Sequence, residues 1–442
     1  MHETQADATG IQSDSAGAYL MTFLLTCLCC LKRHTRSAMM VGVLVGSSLG
    51  CSAQTGLQAL LAKALSQHPT VGQARNQAKA SGLERTSAQW LRFPTLSSEL
   101  RSETGPAQNI TRLEQPLWTG GKVSGQIQAA QANERAALAQ VEEAELNVLT
   151  QVSTAFFEVL RHEARLDGAM QNVAEHERLL ALIARRVQAE ISPPADETLA
   201  RARLQQAVSE RIQITRQRNA ARVTLQQWAG EAVGPIVAPK AIVFTRPASE
   251  AHMLERALET SAALRRLQAQ IEAAEAQIAV SQAQAMPNLV AGYQRTWGSL
   301  YYGQLPEKTY LSLQYTPGAG LSALSNKQVA VARLEAVRSE VGAIQLNIEA
   351  QLKSTLTELD AMADQLEPAH MLLQGAAEVV ESYLRQYQIG RKNWLDVLNA
   401  QKEKTNALYN LADMQYGLQL AQVRLMLQTG ELRSDALTAI HD

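Results

Sequence analysis

The stretch "LEQPLWTGG" (residues 113–121) joins two segments of opposite character. It has the composition of a short strand that contains a Pro and ends in an aromatic residue and a Gly pair. Residues 122–188 follow it, with no Pro, only two Gly, and many Ala, Gln, Glu, Arg and Leu. This composition predicts a helix about 100 Å long, because each helical residue adds about 1.5 Å. A globular domain has no need of so long a helix directly after a strand.

The overall composition also favours long helices, and it argues against several functions. Aromatic residues make up 5% of the 442 residues, Gly numbers 25, and the formal net charge is −1. This charge gives no reason to expect a nucleic-acid partner. The eight His are dispersed, "RHEARL" around His162 is not an H-E-x-x-H zinc motif, and no phosphate-binding Gly loop is present. We therefore expect no enzyme activity, no cofactor and no metal site.

Residues 1–53 have the features of an export signal. "KRHTR" (residues 32–36) supplies positive charge, and "MMVGVLVGSSLG" (residues 39–50) is apolar but too short to span a bilayer. We expect cleavage after Ala53, with Met21 or Met39 as alternative starts and a lipid-anchored Cys51 as an alternative to cleavage. All four Cys precede residue 54, so the exported chain is expected to have neither disulfides nor thiolate metal sites.

An internal repeat organises the rest of the chain. "KALSQHPTV" (residues 63–71) matches "RALETSAAL" (residues 256–264) at an offset of 193, and the offset becomes 200 beyond the strands, where Asp196 aligns with Asp396. Each copy is expected to contain a helix, a pair of short strands, a very long helix and a returning helix. The predicted segments are repeat one over 54–231 (helix 57–91, strands 94–118, helices 122–190 and 196–229), connector 232–248, repeat two over 249–431 (helix 250–285, strands 287–316, helices 321–389 and 394–428) and tail 432–442.

The predicted strands alternate between apolar and polar residues. Leu96 and Leu100 share one face of the first strand, and Leu311, Leu313 and Tyr315 share one face of the fourth. A membrane barrel with apolar residues outside fits this pattern, and so does a half-buried soluble sheet. Four strands cannot close a barrel, and open sheet edges are not tolerated in lipid. The alternatives are therefore a soluble sheet or several chains that pool their strands, three of which would supply twelve.

Two longer stretches carry a resemblance to a known family. "LEQPLWTGGKVSGQIQAAQ" (residues 113–131) and "QYQIGRKNWLDVLNAQ" (residues 386–401) resemble the TolC-type outer-membrane efflux and secretion channels, the outer membrane factors, over roughly residues 55–431. The resemblance implies a mostly helical fold with a small β part. It implies a homotrimer with a twelve-stranded barrel in outer-membrane lipid and an α-helical coiled-coil barrel that crosses the periplasm. It also implies a periplasmic adaptor and an inner-membrane transporter of RND or ABC type as partners.

The resemblance further implies a gate at the helix turns that lie far from the membrane. Asp396 and Asn399 fall where the family lines the constriction, so we expect one ring of three carboxylates. We hypothesise that Asp196 contacts Tyr387 and Lys392 in the closed state. The alternatives are that Asp196 caps the returning helix and that Lys392 is a solvated charge.

The remaining site predictions concern turns. By resemblance, adaptor proteins would dock at the helix-turn tips, which here contain Gly390, Glu190, Pro193 and Pro194. The turns between barrel and tunnel are expected at Pro116, Gly120, Gly121, Pro317 and Gly318.

A periplasmic adaptor and a structural coiled-coil protein are the alternative functions, since both also contain long helices.

Overall fold

The computed structural model describes residues 56–101, 107–230, 233–239, 241–242, 244, 249–298, 305–316, 319–320, 322–432 and 440–441. The expected signal segment, and Pro317 and Gly318, lie outside these residues.

The described elements follow one another in the same order in the two halves of the chain. The first half contains α1 (Leu57–Gln67), α2 (Pro69–Trp90), β1 (Thr95–Arg101), β2 (Gln108–Trp118), α3 (Lys122–Gln188) and α4 (Pro194–Ala229). A short β3 (Ala241–Ile242) precedes α5 (Glu250–Thr260), α6 (Ala262–Ala283), β4 (Asn288–Gly298), β5 (Glu307–Gln314), α7 (Ser322–Gln388), α8 (Trp394–Gln428) and β6 (Ile440–His441). The predicted fold class, long helices with a small sheet in a tandem repeat, is confirmed.

The first helix of each half is interrupted, which the sequence did not predict. His68 is extended, because the following Pro69 disfavours a helical conformation, and its Nδ1 accepts a hydrogen bond from the Thr70 N–H. In the second half Ser261 is extended, and its Oγ caps α6 by accepting from the Leu264 N–H. The single helices expected over 57–91 and 250–285 are therefore each two helices.

The strands form one sheet in the order β1-β2-β4-β5, and every neighbouring pair is antiparallel. Pro116 is tolerated in an inner strand because β1 and β2 pair only as far as Thr95 and Glu114. The register with β4 shifts between Pro116 and Trp118, as in a β-bulge. Residues 113–121 therefore end in an irregular segment, and α3 begins directly after it.

The long helices lie in a layer whose neighbours follow the order of the strands. Towards the sheet, α3 packs against α2 and α6, and α6 packs against α7. Towards the other end, α3 packs against α4 and α8, and α8 packs against α7. Among the described helices, two sides of this layer have no long helix packed against them, one formed by α2 and α4 and the other by α7. Among the described helices, none combines the length and the hydropathy needed to cross a bilayer.

The main hydrophobic core surrounds the middle of α3. Phe156 and Phe157 are fully buried there with their rings edge to face, and Leu57, Leu60 and Leu61 of α1 pack into the same cluster. Smaller clusters lie elsewhere along the helices, one around Trp394 and Val397 and one around Leu352 and Met253. On α7, seven large apolar side chains are exposed: Leu324, Val329, Val331, Leu346, Met371, Leu372 and Val379.

Candidate functional site

One face of the sheet exposes large apolar side chains. Leu96 pairs with Leu113, which in turn pairs with Tyr293, so these three side chains lie in one row across the sheet. The exposed members of this face include Leu96, Leu100, Leu113, Tyr293, Trp297, Leu311 and Leu313, with 74% of Leu100 exposed. One row across this face is polar, with Arg295 and Glu307 ion-paired at 3.5 Å, so the face is mainly but not wholly apolar. A mainly apolar exposed face of this kind marks a surface that contacts another apolar phase or a partner.

The opposite face of the same sheet carries a charged network. Arg112 donates from Nη1 to Glu99 Oε2 at 3.2 Å and from Nε to Gln294 Oε1 at 3.2 Å. Arg101 donates to Glu99 Oε1 at 3.0 Å. Glu99 and Arg101 belong to β1, and Arg112 and Gln294 join them from β2 and β4, so the network crosses three strands. The sheet is thus amphipathic in the sense that a membrane barrel requires.

A second bond on the polar face depends on a glycine. The Tyr310 hydroxyl donates to Glu114 Oε1 at 2.6 Å, and Gly292 lies between them, paired with both residues. A Cβ on Gly292 would lie 2.2 Å from the Tyr310 ring, so only glycine lets the ring cross β4. Sequence reasoning missed this group, although an isolated Gly inside a strand pattern is a signal of close approach.

The turn from sheet to helix is built as the Gly pair predicts. Gly120 and Gly121 have φ of 59° and 93°, values that L side chains rarely adopt. Gly121 is the N-cap of α3, and the Thr119 Oγ1 accepts a hydrogen bond from the Val123 N–H at 3.3 Å. A Cβ on Gly120 would lie 2.7 Å from Met286, which precedes β4. The turn therefore aligns α3 closely with the second half of the chain.

The two tips, defined here as residues 186–196 and 386–396, are built differently. In the first tip Glu190 adopts φ of 60°, where the second tip has Gly390 at φ 78°. Pro193 is the extended N-cap of α4, and Pro194 is its first residue. In the second tip Asn393 and Asp396 form a capping box at the start of α8.

Contacts between the tips centre on Tyr387. Its hydroxyl lies 3.1 Å from the Ser192 Oγ, which also accepts from Arg186 Nε at 3.4 Å. The Arg186 guanidinium lies 4.8 Å from the centre of the Tyr387 ring and donates to the Gln388 carbonyl at 3.4 Å. The ring itself is buried beside Trp394, at 5.2 Å between centroids. These contacts join the α3–α4 turn to the α7–α8 turn within one chain.

The contacts hypothesised for Asp196 are not formed within the described part of the chain. Tyr387 takes Ser192 as its partner, and Lys392 Nζ lies 3.7 Å from Asp396 Oδ2 and 4.3 Å from the centre of the Tyr383 ring. Asp196 lies in the first turn of α4, whose N-cap is Pro193, so it is not a capping residue either. Its negative charge stabilises the N-terminus of α4, which carries the positive end of the helix dipole.

The predicted gate residues occupy one face of α8. Asp396 and Asn399 are three residues apart and therefore neighbours on the helix surface. Asp396 is half-buried by its capping bond and its pairing with Lys392, whereas Asn399 is exposed. Large apolar side chains are also exposed at the tips, among them Ile191 (63%) and Ile389 (67%).

Comparison with known proteins agrees with this architecture. A family profile described as "Outer membrane efflux protein" matches residues 60–231 and 253–431. A search of curated proteins found no match. The adaptor alternative is not supported, and the matching family is one of transport proteins rather than a class of enzymes.

Solved structures share the fold at low sequence identity. A membrane protein from Pseudomonas aeruginosa has a TM-score of 0.76 at 18% identity, covering 85% of this chain and 92% of that one. The CmeC outer membrane channel of Campylobacter jejuni has a TM-score of 0.74 at 13% identity, covering 85% of each chain. The open-state MtrE outer membrane channel of Neisseria gonorrhoeae has a TM-score of 0.72 at 16% identity, covering 86% and 90%.

Proposed function

The chain belongs to the outer membrane efflux protein family, and from this premise we propose that three copies close into one export conduit. The family acts in the outer membrane and extends into the periplasm, where the long helices of this chain fit. The observation that supports the proposal most strongly is the four-stranded sheet with one mainly apolar face and one polar face that carries the Glu99–Arg112 network. Such a sheet can contact lipid with one face and water with the other. Its two edge strands must then be paired with other strands, because unpaired backbone groups are not tolerated in lipid.

The strand order supports closure by identical chains. β1 and β5 are the edges of the sheet, and strand direction alternates from β1 to β5. The β5 of one chain therefore runs antiparallel to the β1 of the next, so three chains can form a continuous twelve-stranded barrel. The same rotation brings α7 of one chain against α2 and α4 of the next. That contact would cover the apolar side chains that α7 exposes.

A disulfide cross-link between the sheet edges tests this arrangement. All four native Cys precede residue 54, so new Cys residues in the exported chain can be placed without interference. We expect Ser98→Cys on β1, combined with Thr309→Cys or Leu311→Cys on β5, to give covalent trimers after oxidation. Ser98→Cys combined with Ala291→Cys is the matched control, because β4 is an inner strand. Trimers in the control, or none with either β5 position, would contradict closure through these edges.

The tips are proposed as the gate of the conduit. In a trimer Asp396 contributes three carboxylates near the end of the tunnel, with Asn399 one turn further along α8. A ring of like charges attracts cations and repels anions, and the Lys392 ammonium 3.7 Å from each carboxylate reduces this effect without removing it. We expect Asp396→Asn to lower the cation-to-anion permeability ratio of the channel in planar bilayers, and Asn399→Asp to raise it. An unchanged ratio in both variants would place the constriction elsewhere.

The tips are also proposed as the docking site of a periplasmic adaptor, which would connect the channel to an inner-membrane transporter of RND or ABC type. Gly390, Glu190, Pro193 and Pro194 shape the turns, and the exposed Ile191 and Ile389 supply apolar contacts of the kind that interfaces bury. Ile191→Asp with Ile389→Asp should abolish export in cells while the purified trimer remains intact. Full export by this variant would exclude docking through these two side chains.

A further inference from the structure

A cavity of about 500 Å³ lies where the joint between α5 and α6 meets α3, α7 and the end of α8. Its apolar wall includes Leu149, Ile348 and Leu427, and its polar wall includes Ser261 and Gln428. Small-molecule sites typically have volumes of about 300–1,000 Å³ and a mainly apolar lining with a few polar groups. The cavity lies within a single chain, away from the tips and the sheet.

The internal repeat shows what is missing from this place. In the first half, His68 stacks on Trp228 with the ring centroids 5.2 Å apart and the planes 16° from parallel. The offset of 193 aligns His68 with Ser261, and the offset of 200 aligns Trp228 with Gln428. The two residues that replace the ring pair both line the cavity. The second half therefore leaves open a space that two aromatic rings fill in the first.

The backbone around the His68–Trp228 stack and the backbone around the cavity are alike. A different course of the chain in the second half therefore does not fill the space of the missing rings. His68 and Ser261 are both extended N-caps between an 11-residue and a 22-residue helix. The helices α4 and α8 both lead into a glycine with positive φ, Gly230 at 81° and Gly430 at 73°.

The polar groups of the cavity favour a neutral ligand with an N–H donor. Its carboxylates are already paired, Glu145 with Arg75 at 2.8 Å and Glu142 with Arg265. The Gln428 Nε2 donates to Thr355 Oγ1 at 3.2 Å, but its Oε1 is buried and receives no hydrogen bond from the described residues. Rotation of the Gln428 amide towards the cavity would let a ligand N–H bond to this acceptor and remove the penalty of leaving it unsatisfied.

We propose that this cavity is a binding site for a small, neutral, planar heteroaromatic molecule of the indole class, one per chain. The stacked rings of the first half define the shape of the ligand, and the Gln428 amide defines its polar edge. The site uses residues of one chain only, so it stands whether or not the conduit closes as proposed above.

Indole itself is the probe, titrated into the purified full-length protein in detergent and followed by saturation-transfer NMR. We expect saturable binding of one indole per chain. The variant Ser261→His with Gln428→Trp should weaken it at least tenfold, because it places the first-half ring pair in the cavity. His is an N-cap in the first half, so Ser261→His keeps the cap of α6. Micelle partitioning is the same for both proteins and is subtracted.

The converse variant, His68→Ser with Trp228→Gln, should raise the stoichiometry to two indoles per chain. Equal binding by the native protein and by Ser261→His with Gln428→Trp would overturn the proposal. If that double variant does not fold, Gln428→Trp alone decides by the same comparison, and unchanged binding again overturns it.

Discussion

We propose that the contact between the two tips holds the gate closed, so removal of the Tyr387 hydroxyl should loosen the closed state by a measurable amount. Tyr387→Phe keeps the ring beside Trp394 and beneath the Arg186 guanidinium, and it removes only the bond to Ser192. A hydrogen bond of this kind contributes about 1 kcal/mol, which is about fivefold in an equilibrium constant. If the three chains of a trimer open together, the sum of about 3 kcal/mol corresponds to about 150-fold.

The assay is the open probability of single channels in planar bilayers, with a double-mutant cycle to identify the partner. Ser192→Ala and Tyr387→Phe should each raise the open probability, and their combination should add little, since both remove one bond. Asp196→Ala should combine additively with Tyr387→Phe, because no contact joins these residues within the described chain. Tyr383→Phe is the matched control, as its hydroxyl makes no hydrogen bond among the described residues.

Two results would refute this reasoning. One is full additivity of Ser192→Ala and Tyr387→Phe, which would mean that their bond contributes nothing to closure. The other is strong coupling between Asp196 and Tyr387, which would mean that the closed trimer uses the pair that the family resemblance suggested. Thermal unfolding of each variant separates an effect on the gate from a general loss of stability.

Three further changes test other parts of the structure. Glu190→Gly should raise the free energy of unfolding by about 0.5–1 kcal/mol, because an L residue at φ 60° is strained; chemical denaturation checks this, and a loss of stability would contradict it. Gly292→Val should prevent barrel assembly or lower its yield sharply, since the new side chain displaces Tyr310 from β4; normal heat-resistant trimers on gels would disprove the packing. Burial, with Arg203 nearby, lowers the pKa of His176 in the folded chain. As the pH falls below 6.5, the unfolded chain therefore binds a proton before the folded chain does. The free energy of unfolding then decreases by up to about 1.4 kcal/mol for each pH unit. His176→Gln should flatten the fall in melting temperature between pH 7.5 and 5.5, and the exposed His252→Gln should not.

Some features of the fold follow from local patterns, and they were predictable for that reason. Residues 122–188 contain no Pro, only two Gly and many strong helix formers. This local composition is enough to predict one uninterrupted helix, because helix propensity acts within a few residues. The Gly pair before Lys122 predicts a turn that needs positive φ, and both Gly residues adopt it. The break at His68 could also have been predicted from Pro69, since a residue before Pro avoids the helical region.

The sequence by itself determined the two-fold repeat, the types and lengths of the long elements and the amphipathic strands. Tertiary structure alone decided which distant groups meet. Tyr387 bonds to Ser192 across 195 positions, and Tyr310 reaches Glu114 across 196. It also decided that a cavity lies beside Ser261 and Gln428, the residues of the second half that align with His68 and Trp228 of the first half. The physical reason is that periodicity and propensity act over one or two turns of chain. A hydrogen bond requires two atoms within about 3 Å, and that distance is set by the packing of whole helices and strands.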